Sequence, residues 1–172
     1  MTLTRQFHLV TLGCPKNEVD SDKLAGTLVA DGMVATDCAG DADLIVVNTC
    51  GFIEDARRES IDTVLALADQ RRDGARLVVT GCMAERYGTE LVEELPEIDQ
   101  VVGFGVPIAF GKTRSTGGPL PAMDLLNLPR PASTRPWAYV KVAEGCDRAC
   151  GYCAIPSFRG PQRSRPPEAV LA

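Results

Sequence analysis

Long apolar runs are missing from this sequence. None approaches the eighteen or so residues that a membrane helix needs, so no spanning helix and no membrane partner are expected. The opening MTLTRQFHLV lacks a charged stretch followed by an apolar core, so no secretory signal is expected either, and the chain reads as cytoplasmic. Histidine is nearly absent. The one histidine, His8, lies inside an apolar run and reads as a packed or edge residue rather than a metal ligand. Basic excess is missing too: the formal charge of -5 argues against a generic nucleic-acid binder.

What is present is an ordinary globular composition, 45% hydrophobic and 24% charged. With 172 residues there is room for one well-buried domain and part of a second. The charge is uneven. Residues 1–129 carry 11 Lys and Arg against 20 Asp and Glu, whereas residues 130–172 carry 7 against 3. An acidic first region suits a basic partner, and it equally suits a plain solvated surface. There are seven cysteines, an odd number that a reducing compartment would not turn into a disulfide framework. That leaves metal binding, catalysis or burial.

The first hundred residues alternate short apolar runs with longer amphipathic segments, the rhythm of a parallel sheet covered by helices. Strands are expected at Phe7 to Leu12, Leu44 to Asn48, Leu77 to Thr80 and Val101 to Val102, with a short one at Met33 to Ala35. Helices are expected at Ser21 to Asp31, Glu54 to Arg72 and Thr89 to Leu95. The fold class is therefore α/β, a three-layer unit with a mainly parallel sheet over residues 1–112. Three strands end in cysteine: LVTLGC, IVVNTC and LVVTGC deliver Cys14, Cys50 and Cys82. Parallel strands share one carboxyl rim, so these thiols should converge despite separations of 36 and 32 residues. Any one of them alone reads as a buried inert thiol. Together they read as metal ligands, and three rather than four disfavours structural zinc, which closes with a fourth protein ligand. A 4Fe-4S cubane on three thiolates leaves one iron open. Cys38, with no strand before it, reads as incidental.

Residues 113–136 are rich in Gly, Pro and Ser and read as a linker, with at most a short ordered piece at Met123 to Leu128. WAYVKVAEG then alternates like a strand and leads to CDRACGYC, which places Cys146, Cys150 and Cys153 at spacing C-x3-C-x2-C. That spacing fits one cluster on one loop and differs from the paired cysteines of zinc ribbons.

CDRACGYC resembles the cysteine motif of radical S-adenosylmethionine enzymes. Combined with an upstream three-cysteine domain, the chain resembles the methylthiotransferases of that superfamily over essentially its whole length. LGCPKNEVDS, NTCGFIEDA and IPSFRGPQRSRP are more similar to the ribosomal-protein branch, the RimO type, than to the tRNA branch. The resemblance implies two 4Fe-4S clusters, one on Cys14, Cys50 and Cys82 and one on Cys146, Cys150 and Cys153. It also implies S-adenosyl-L-methionine as cosubstrate, with Tyr152 against its adenine end. The implied reaction replaces a hydrogen on an aspartate β-carbon of small-subunit ribosomal protein twelve with a methylthio group. A 5'-deoxyadenosyl radical abstracts the hydrogen, and the first cluster carries the sulfur. The electron donor lies outside the sequence's reach, and a monomer is expected.

The family's partial (βα) barrel begins at residues 137–172, and the rest of that barrel and a small β-rich domain are absent from this sequence. The chain is thus expected to be a C-terminally truncated member, inactive by itself. Arg159, Arg163 and Arg165 read equally as functional cations or solvated charges. Two other readings compete: a tRNA methylthiotransferase fragment, and a non-catalytic iron-sulfur or zinc-binding protein; anaerobic reconstitution with iron counting decides the metal.

Overall fold

The structure is a computed structural model that describes residues 4–104, 106, 108, 126, 128, 130–132 and 135–171. Five strands form one parallel sheet: β1 (Gln6–Thr11), β2 (Val34–Ala35), β3 (Leu44–Thr49), β4 (Arg76–Gly81) and β5 (Gln100–Val101). They are ordered β2-β1-β3-β4-β5. The helices between them are α1 (Pro15–Ala30), α2 (Glu54–Gln70) and α3 (Cys82–Glu94), with a 3-10 turn at Ala39–Asp41 before β3.

Sequence dictates the layering. In β3 and β4 every side chain from Leu44 to Val47 and from Leu77 to Val79 is apolar and buried, the continuous pattern of strands covered on both faces. Alternation then sorts them. Ile45, Val47, Leu77 and Val79 pack beneath Val64 and Leu67 of α2 and Met83 and Leu91 of α3. Leu44, Val46 and Val78 face the other way, onto Phe7, Val102 and Leu28 of α1. Each such side chain removed from water contributes about 1.5–3 kcal/mol, so the sheet is the stable heart of the molecule. The chain moves outward from β1 to β2 in one direction and from β3 to β5 in the other. Right-handed crossovers therefore put α1 on one face and α2 and α3 on the opposite one. This is the expected three-layer α/β arrangement, and its direction reverses between β1 and β3.

Two helices begin earlier than their sequence pattern indicates. α1 starts at Pro15, not Ser21, because its buried set includes Asn17, Asp20, Ser21 and Lys23, which interrupts the apolar periodicity. A proline in the first turn needs no hydrogen-bond partner for its nitrogen and is well placed there. α3 starts at Cys82, not Thr89; a non-helical Tyr87 (φ -128°, ψ 25°) kinks it and splits the pattern.

Beyond residue 136 the structure is sparser. β6 (Ala143–Glu144) pairs antiparallel with β7 (Arg163–Ser164); the single-turn helix α4 (Ile155–Arg159) lies between them and a second, α5 (Pro167–Leu171), follows β7. The strand expected over WAYVKVAEG is thus reduced to its last residues; Trp137, Tyr139, Val140 and Val142 are exposed. An extended segment holds its shape through a ladder, and the only one here is the short pair β6–β7 among the described residues. Most of the expected linker and of the piece at Met123 to Leu128 lies outside the described residues, but Leu126 is buried and its carbonyl accepts from Lys23 Nζ at 3.0 Å. No helix among the described residues is long and apolar enough to cross a membrane.

Candidate functional site

Cys14, Cys50 and Cys82 all stand at the carboxyl edge of the sheet. Cys14 is the N-cap of α1, Cys50 follows β3 directly, and Cys82 opens α3. The edge between β1 and β3 is where the winding reverses, the place at which doubly wound sheets open a crevice for ligands.

Glycines allow the turns to close on one another. Gly13 has φ +90°, and a Cβ there would lie 2.6 Å from Cys50 Cβ and 2.9 Å from its Sγ. Any larger residue would displace that thiol. A Cβ on Gly51 would lie 2.9 Å from Met83 Cα, so the turn after β3 also abuts the start of α3. Polar side chains of the helices hold the strand ends in this register. Asn17 Nδ2 donates to the carbonyls of Leu12 at 2.8 Å and Thr49 at 3.1 Å, tying β1 to β3. Asn48 Nδ2 donates to the Asn17 carbonyl at 3.0 Å and to Ser21 Oγ at 2.9 Å. Thr49 Oγ1 donates to the Thr80 carbonyl at 2.6 Å, and the Cys50 N–H donates to Ser60 Oγ at 3.2 Å. Buried polar groups are costly unless paired, so these bonds explain why α1 and α2 carry polar residues inward.

Cys82 has a charged neighbour that reading the sequence left undecided. Arg159 is 8% exposed, and its Nη2 donates to Cys82 Sγ at 3.2 Å and to Asn17 Oδ1 at 2.9 Å. Its Nη1 donates to Asp20 Oδ2 at 3.0 Å and Glu144 Oε2 at 3.1 Å. Lys141 closes the group by pairing with both Asp20 and Glu144, and Lys16 Nζ reaches Glu144 Oε1 at 3.1 Å. Burial pushes the Cys82 thiol above its ordinary range; the charge and hydrogen bond of Arg159 pull against that, while Cys50 and Cys14 push the same way as burial. Burial would also raise Glu144, but Arg159, Lys141 and Lys16 overcome it and hold its carboxyl at about 2. Burial alone would lower the Arg159 guanidinium, yet Cys82, Asp20 and Glu144 hold it above its ordinary value. The signal that could have found Arg159 was its place in IPSFRG; a lone Arg in a basic segment otherwise reads as solvated.

The second group of cysteines is local. Cys146 and Cys153 are half-buried and Cys150 is exposed. The Cys153 N–H donates to the Cys150 carbonyl at 3.1 Å, and the Cys146 N–H donates to the Gly160 carbonyl at 3.0 Å, closing the loop on itself. Gly145, at φ +77°, permits this: a Cβ there would sit 2.0 Å from the Pro161 carbonyl oxygen. Tyr152, within the loop between Cys150 and Cys153, stands 89% exposed. Cys38 is exposed at the start of the 3-10 turn, and the ring Nδ1–H of His8 donates to the Thr36 carbonyl at 2.9 Å.

Among the described residues no three His, Cys, Asp or Glu side chains close on the position of a single metal ion. Thiolates of a cubane each take a different iron and need not converge on one point. The donor chemistry fits such a group. At the sheet edge stand three thiols with a guanidinium beside one of them, and the loop carries three more thiols.

A doubly wound parallel sheet with thiols on its carboxyl edge, followed by a short three-cysteine loop, defines the class: a cysteine-rimmed α/β protein. Residues 6–103 match the model of the family described as Uncharacterized protein family UPF0004, and the chain belongs to that family. It is similar to the ribosomal protein uS12 methylthiotransferase RimO of Kineococcus radiotolerans, 42% identical over 98% of this chain and 43% of the relative. The proteins of the same name from Desulfosudis oleivorans and Geobacter sulfurreducens are 45% and 46% identical, over 96% and 95% of this chain and 41% and 40% of their own lengths. The chain thus spans about two fifths of the length of these relatives.

Proposed function

We propose that this chain is the cluster-binding portion of a methylthiotransferase acting on ribosomal protein uS12. The observation that carries the reading is the placement of Cys14, Cys50 and Cys82 directly after three adjacent parallel strands, in a chain that also holds Cys146, Cys150 and Cys153 on one loop. The first three residues would hold one 4Fe-4S cluster, and the loop a second, with S-adenosyl-L-methionine at the second and Tyr152 beside its adenine. When bound, the clusters and cosubstrate supply the one-electron chemistry and the sulfur.

The chain's own residues do the positioning. Asn17 fixes the ends of β1 and β3, so Cys14 and Cys50 leave the sheet at one edge. Gly13 keeps the space against the Cys50 thiol open, and Arg159 sets a positive charge beside Cys82. The acidic excess of residues 1–129 suits a basic ribosomal protein, whose home is the cytoplasm. An external reductant supplies electrons.

Anaerobic reconstitution with iron and sulfide tests the reading. About eight irons per chain are expected, with Cys50→Ala removing roughly half and Cys150→Ala the other half. One tetrahedral zinc per cysteine set, in place of iron, would overturn it.

A further inference from the structure

Arg159 belongs to both cysteine sets at once. The carbonyl of the next residue, Gly160, accepts the Cys146 N–H at 3.0 Å, while the guanidinium reaches across to Cys82 Sγ at 3.2 Å. The guanidinium is held from every side. Asn17, Asp20 and Glu144 fix its two terminal nitrogens, and it lies 4.3 Å from the centre of the Phe104 ring. A planar fork so restrained keeps its direction toward the sulfur, which a flexible ammonium would not. Its charge is not cancelled either: Asp20 and Glu144 are already shared with Lys141 and Lys16, leaving two carboxylates among three cations in the group.

We propose that Arg159 is a positioning residue for the Cys82 sulfur, and that its charged N–H···S contact raises the reduction potential of a cluster held by Cys14, Cys50 and Cys82. The inference rests on the cluster reading above. Reduction adds negative charge to a cluster and its sulfurs, so a fixed cation with an N–H aimed at a ligating sulfur stabilises the reduced state more than the oxidised one. A residue that only joined two segments would change folding and leave the potential alone.

The test uses the chain with Cys146, Cys150 and Cys153 all changed to Ala, so that only the first set can load. Iron is counted, then the midpoint is measured by an EPR-monitored redox titration. About four irons are expected. In that background Arg159→Gln, which keeps an amide donor but no charge, should lower the reduced-to-oxidised ratio at fixed potential about tenfold, a shift of about 59 mV for one electron. Arg159→Lys, which keeps a charge without the fork, should give a smaller shift in the same direction. A ratio changed by less than about twofold in Arg159→Gln, at an unchanged iron count, overturns the inference while leaving the cluster reading intact. If circular dichroism shows Arg159→Gln unfolded, Arg159→Lys decides by the same twofold limit. If the background chain takes up no iron, the cluster reading fails and this inference with it, a result visible before any titration.

Discussion

Cys14, Cys50 and Cys82 are 36 and 32 residues apart and reach one edge only because three strands run parallel in adjacent places, whereas Cys146, Cys150 and Cys153 lie within eight residues on a loop. The first set is a product of tertiary structure. Its geometry stands or falls with a sheet whose central strands are fully buried. The second set is a product of local sequence, held by turn hydrogen bonds and two positive-φ glycines, Gly145 and Gly160, and its surroundings are mostly exposed. Between them sits a buried charged seam, Asp20, Lys141, Glu144 and Arg159, that joins the robust region to the sparse one. The difference teaches where each site is vulnerable.

The largest effect should come from breaking the sheet. Ile45 is wholly buried in the middle of β3, and Ile45→Asp puts a carboxylate into the core with no partner, at a cost of more than about 4 kcal/mol. Circular dichroism should show the α/β signal lost, and reconstitution should show the iron of the first set gone while the loop keeps most of its own. Loss of both sets together would mean that the loop is not local in the sense argued.

The seam should give the intermediate effect. Removing one partner from a buried charge group costs about 3–5 kcal/mol, so Glu144→Gln should lower the stability of the metal-free chain by about 3 kcal/mol at neutral pH in urea titrations. The pH dependence follows from Glu144 being held at about 2 against an ordinary 4.5. A carboxyl lowered on folding stabilises fully above its unfolded value and loses that contribution as pH falls through the folded one. The gap between parent and Glu144→Gln should therefore be full above about pH 5 and close progressively toward about pH 2. A gap that stayed constant across that range would show that Glu144 acts through packing rather than charge.

Tyr152 marks the smallest. Being 89% exposed, it should tolerate Tyr152→Ala with a stability change within about 0.5 kcal/mol and no change in iron count. Affinity for S-adenosyl-L-methionine, measured by equilibrium dialysis on the loaded chain, should fall by about fivefold, the worth of one ring contact. A clear loss of stability instead would place Tyr152 in the fold rather than at the ligand.

The sequence by itself determined the strands of the sheet, the cysteines that follow three of them and the spacing of the cysteines on the loop. Val and Ile runs such as LIVVNT are unmistakable as strands buried on both faces, and a cysteine directly after a parallel strand has only one rim to occupy. The loop CDRACGYC was equally legible because everything it needs lies within a few residues. Only the tertiary structure decided the rest. The start of α1 at Pro15 was hidden because Asn17, Asp20 and Ser21 face inward, and polar residues look like a loop or a solvated face until their partners are known. Arg159 looked like any cation in a basic segment, because its partners Cys82 and Asp20 lie 77 and 139 residues earlier in the chain. Local pattern fixes which residues turn inward on a strand. What a buried charge pairs with depends on where the folded chain returns, and no periodicity records that.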